Sequence, residues 1–146
     1  MSSFTGSEGH RMEIASADLA ELRELYGRGL YPQAWSASHR FGPLHTWEGS
    51  AARLLGGRIA IQVGAPRCGR LMHLRAYRHS PNFPEAIYYH ARYRLERQGP
   101  LATWQFIRSF PEWNDVAPEL RADWFAFHGF VAARMRDFDR AELAVE

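Results

Sequence analysis

The 146-residue chain contains no lysine; all 18 of its basic residues are arginine. That absence excludes Schiff-base chemistry and the phosphate-cradling lysine of a P-loop. The arginine bias itself is what a GC-rich genome writes. Cysteine is almost as scarce. Cys68 stands alone, so no internal disulfide framework is possible and a reducing compartment is expected. No stretch approaches the roughly 20 apolar residues of a membrane span. The first basic residue, Arg11, precedes no apolar run, so no signal peptide is read and a soluble, cytoplasmic protein is expected. No segment alternates polar and apolar residues long enough for a strand, which makes the fold all-α. The seven histidines include no i, i+4 pair and no His-Glu-x-x-His, the helix-borne arrangement of a metal site. Cys68 and His73 lie five apart with no third residue to orient the imidazole, so Cys68 reads as a small packing residue. Glu112, Asn114 and Asp115 suit a solvated loop better than a calcium ligand set. No catalytic residue, cofactor or metal is expected.

What the chain has is a beat. Gly29, Gly64 and Gly99 are 35 residues apart, and each is followed within three residues by a proline, Pro32, Pro66 and Pro100. Glycine just past a helix end takes the left-handed conformation without a Cβ penalty. Proline in a first helical turn has its φ already set, and its missing N–H would have no partner there. Each pair therefore marks one helix stopping and the next starting. The spacing predicts helices over about 18–28, 32–41, 49–63, 66–79, 84–98, 100–109 and 118–135, with a short last one from about 138. Asp18 and Glu21 offer a capping box for the first, whose buried stripe is Leu19, Leu22, Leu25 and Tyr26. Trp47 falls in a linker. Residues 1–15, polar and rich in Gly and Ser, are expected to be a disordered tail.

Gly29-x-Tyr31-x-x-Ala34, the Arg136–Ala141 stretch of similar shape, Gly57 in the first helix of its unit and the Ala76–Pro81 pair resemble the tetratricopeptide repeat, a helical hairpin of roughly 34 residues. The likeness covers residues 16–146, in units of about 16–49, 50–83, 84–117 and 118–146. The first two units are one residue longer than 34, and the family's Trp-x-x-Leu-Gly signature is absent. A related helical repeat is the alternative. The resemblance implies an α-α superhelix, or solenoid, of about four hairpins that binds a protein or peptide without catalysing a reaction. In that register Arg23, Arg58 and Arg92 share one position of the first helix, and the resemblance implies that they face a concave groove with Gln62 and Tyr88 nearby. Guanidinium forks match carboxylates, so an acidic partner segment is expected. The bland alternative is three solvated arginines paired with local glutamates. The family's carboxylate-clamp pattern is not matched.

Charge is unevenly spread: residues 51–97 hold nine arginines against Glu85 and Glu96, while residues 111–146 hold four against eight acids. Such fields steer acidic partners or favour contact between copies. The short final hairpin has no polar cap, so either the array continues into a longer, multidomain and even enzymatic protein, or a partner or second copy covers it. Aromatics at Tyr88, Tyr89, Tyr93, Trp104 and Phe106, interleaved with arginines, raise RNA binding as a further alternative. The net charge of only +2 argues against it.

Overall fold

The computed structural model describes residues 11–110, 113 and 115–143, with side chains to Arg136. Six α-helices are present among the described residues: α1 (Ser16–Gly27), α2 (Tyr31–Ser38), α3 (Ser50–Gln62), α4 (Pro66–His79), α5 (Pro84–Ile107) and α6 (Pro118–Leu143). They form two compact units, one ending at Ser80 and the other beginning at Pro81. All three glycines of the beat have left-handed φ, +74° at Gly29, +90° at Gly64 and +82° at Gly99. Pro32, Pro66 and Pro100 follow as read, with Pro32 in the first turn of α2 and Pro66 opening α4. At Gly99 the break lies inside α5, splitting it into arms of residues 84–98 and 100–107.

In the first unit, α1 presents Leu19 and Leu22 to a core shared with Ala34, Leu55, Ile59 and Met72. Leu25 and Tyr26 pack against its edge. The centre of this core is Trp47, fully buried although it lies between helices. Two short 3-10 turns, His39–Phe41 and Leu44–Thr46, fold the connection back so that the ring points inward. Its indole N–H donates to the Gly42 carbonyl at 3.2 Å, which satisfies the one polar atom of the buried ring. Gly56 makes the room: a Cβ there would stand 3.0 Å from the indole.

Residues 11–15 are ordered, contrary to the expected tail. The Met12 N–H donates to the Thr46 carbonyl and the Glu48 N–H to the Met12 carbonyl, both at 2.9 Å, and Ile14 enters the core. An apolar side chain with a core to enter outweighs the polar composition around it. Residues 1–10 of that expectation lie outside the described residues. The capping box does not form either. α1 starts earlier, after Ala15, without a side-chain cap. Asp18 and Glu21 both turn to Arg40 instead, at 3.7 and 2.5 Å.

α3 and α4 meet through Gly57 and Gly69. A Cβ on Gly69 would fall 2.5 Å from the Gly57 carbonyl, and one on Gly57 would fall 2.5 Å from the His73 ring. With no side chains between them, the backbones themselves touch. His73 is buried at this crossing, its Nε2 within 3.3 Å of the Leu54 carbonyl.

In the second unit, the core joins Ile87, Tyr88, Ala91 and Ile107 of α5 with Trp124, Phe127 and Val131 of α6. Trp113 stacks on Trp124, with ring centres 3.8 Å apart. Of the clustered aromatics, Tyr88 meets Phe127 of α6, while Phe106 packs on His90 across the α5 break. α6 runs on to Leu143 without the turn expected near Arg136. Arg136 stands where the earlier units have glycine, and neither it nor Met135 interrupts a helix. No fourth hairpin forms among the described residues.

Candidate functional site

Residues 88, 92, 95 and 96 of α5 recur at helical spacing and so share one face of its first arm. Residues 123, 126, 127 and 130 do the same on α6. These two faces line a cleft of about 360 Å³. Tyr88 and Phe127 form its floor, both nine-tenths buried, with ring centres 5.9 Å apart and nearly perpendicular. Phe130 stands at the mouth, 54% exposed. Arg92 is exposed and its guanidinium carbon lies 5.8 Å from the Tyr88 ring centre, within reach of a cation–π contact. Glu96 and Asp123 supply negative charge on the same lining.

Of the five residues assigned to a groove from the sequence, this cleft brings together two, Tyr88 and Arg92. Gln62 is exposed at the last position of α3, and Arg23 is exposed on α1. Arg58 is half-buried, its guanidinium carbon 4.4 Å above the Tyr26 ring centre, which ties α3 to α1. Sequence reasoning missed the α6 wall. The signal was there, since Asp123, Phe127 and Phe130 recur at i, i+4 and i+7. It was hidden because every large apolar residue of α6 looks equally like core.

His128 sits beside this wall. Trp104 and Trp124 pack on its ring, and its Nε2 is shielded from solvent with no hydrogen-bond partner among the described residues. Burial holds the imidazole below histidine's ordinary value. Cys68, read as a packing residue, is in fact exposed, whereas His73 is buried. The two therefore face different surroundings. Among the described residues no group of three or more His, Cys, Asp or Glu could hold a metal ion. No helix among them is long and apolar enough to cross a membrane.

The class defined so far is an all-α protein of packed helix pairs with an amphipathic cleft in its second unit. No protein-family model matches the chain, and no curated protein or solved structure matches it either.

Proposed function

We propose that the chain is a non-enzymatic protein-interaction scaffold of tetratricopeptide-like hairpins, stacked as a solenoid, whose arginine-bearing face takes a segment of a partner protein. The observation that carries this reading is Phe130, a large ring left at the surface on the same cleft lining as the Arg92 guanidinium. Aromatic and arginine anchors around a desolvated pocket are the anatomy of a protein-binding hot spot. The close approach of helices at Gly57 and Gly69 adds support, since small residues at the helix crossing are part of the tetratricopeptide pattern. In this reading a partner's apolar side chain packs on Phe127 and Phe130 while its carboxylate pairs with Arg92. Glu96 and Asp123 repel an acid placed out of register. No cofactor is required, and the setting is cytoplasmic.

Affinity capture with the Arg92→Glu, Phe130→Ser double variant tests it, because both side chains are exposed and neither supports the core. Partners retained by the wild type and released by the variant are the expected outcome. Equal recovery of every partner would overturn the reading. Binding to RNA instead would announce itself by a steep fall in affinity with salt.

A further inference from the structure

A second cleft, of about 540 Å³, lies wholly within the first unit. Arg11, Arg53, Arg75, His45 and His79 line it, and Glu48 is the only carboxylate of the lining among the described residues. Arg53 and Arg75 are not loose surface charges. The Arg53 Nε donates to the Trp47 carbonyl at 2.9 Å, and an Arg75 terminal nitrogen donates to the His45 carbonyl at 3.3 Å. Both side chains are half-buried, and neither has a carboxylate partner among the described residues. Glu48 already pairs with Arg11, at 3.6 Å. Each fixed guanidinium thus spends one donor on the backbone and keeps the rest for another acceptor.

The connection that carries the buried Trp47 supplies those anchoring carbonyls. Its position is set by the core and by the Met12 pairing, so the two forks are pre-organised before a ligand arrives. α3 begins at the rim, after Gly49, with neither a side-chain cap nor an acid in its first turn, so its dipole adds positive potential.

We propose that this cleft binds a short cluster of carboxylates on an acidic peptide segment, with Arg53 and Arg75 as the paired forks. The cations gather in one cleft rather than along a track, which suits a few carboxylates better than a polynucleotide backbone. The cleft shares no residue with the Tyr88–Phe130 cleft, so the failure of either proposal leaves the other standing.

Fluorescence anisotropy of fluorescein-labelled hexaglutamate, titrated with the full chain, reads the binding. Hexaglutamine and an oligouridylate of matched charge serve as comparisons. The wild type is expected to bind hexaglutamate and not hexaglutamine. Arg53→Gln with Arg75→Gln is expected to weaken binding by about tenfold or more. Removing the competing carboxylate in Glu48→Gln is expected to tighten it by about threefold, a gain that misfolding cannot produce. Should the double variant lose its helical circular dichroism, Arg75→Gln alone and Glu48→Gln decide the matter. Absence of hexaglutamate binding, unchanged affinity in the arginine variants, or tighter binding of the oligouridylate would overturn the proposal.

Discussion

At Gly57 the helix tolerates an intrinsically poor residue because α4 leaves no space for a better one. Alanine would gain about 1 kcal/mol of helix propensity, yet its methyl would meet the His73 ring and the Gly69 carbonyl. The clash is with backbone as well as side chain, so it is not relieved by a rotamer change. Gly57→Ala is expected to destabilise the first unit by a net ~1–3 kcal/mol in denaturant titration. Gly129 in α6 has nothing within 4 Å of its would-be methyl group, so Gly129→Ala should be neutral or stabilising by up to about 1 kcal/mol. Equal effects at the two sites would show that propensity, not the crossing, governs Gly57. His128 yields a second prediction at this scale. Its folded value is lowered by burial, so the native state holds the proton less tightly than the unfolded chain. The sign follows: this histidine costs nothing above its ordinary value, and it draws stability away as pH falls through that value. The loss of melting temperature between about pH 7.5 and pH 5 should therefore be smaller in His128→Gln than in the wild type. An unchanged difference would mean that His128 protonates as easily folded as unfolded.

Whole elements depend on the glycine breaks, and Gly99 is the clearest case because the two arms of α5 are joined through it. Its φ of +82° with ψ of −177° is a combination that only glycine adopts without strain. Space is not the obstacle, since nothing lies within 4 Å of a Cβ placed there. Gly99→Ala is thus expected to cost about 1–3 kcal/mol through conformation alone, and it cannot relax into a straight helix because Pro100 lacks the N–H to continue one. A change below a few tenths of a kcal/mol would show that the break is set elsewhere. These breaks are also what made the elements legible. Glycine and proline act on their own backbone, so α4, expected over 66–79, is found there, and both arms of α5 appear where the beat puts them. Pairings across the sequence were not legible. Nothing local in Met12 announces a bond to Thr46, and nothing in a Gly-Pro-rich connection announces that Trp47 is the centre of a core. The candidate site divides the same way. Tyr88 and Arg92 follow from helical register, whereas the α6 wall and the Arg53–Arg75 convergence require knowing which elements meet.

On the scale of the molecule, the first unit carries its own core. Every member of the cluster around Trp47, from Ile14 to Met72, lies before Ser80, and so do the residues packed on its edge. A small domain folds alone when it can bury an apolar centre and satisfy its buried polar groups from its own residues. Here the indole N–H bonds to Gly42, the buried His73 ring reaches Leu54, and Arg40 draws Asp18 and Glu21 together, all inside the unit. Residues 1–80 expressed alone are therefore expected to be helical and to unfold cooperatively. Trp47→Ala should remove about 3–5 kcal/mol from that transition, as deletion of a fully buried aromatic does. That loss is a large share of what a domain of this size possesses, so the variant fragment should melt near or below room temperature. If the wild-type fragment gave a broad, non-cooperative melt, the core would need residues beyond Ser80, and the independence of the first unit would fall. If it melted cooperatively but Trp47→Ala left the midpoint unmoved, the indole could not be what holds the connection in place. The pre-organisation of Arg53 and Arg75, which rests on that connection, would fall with it.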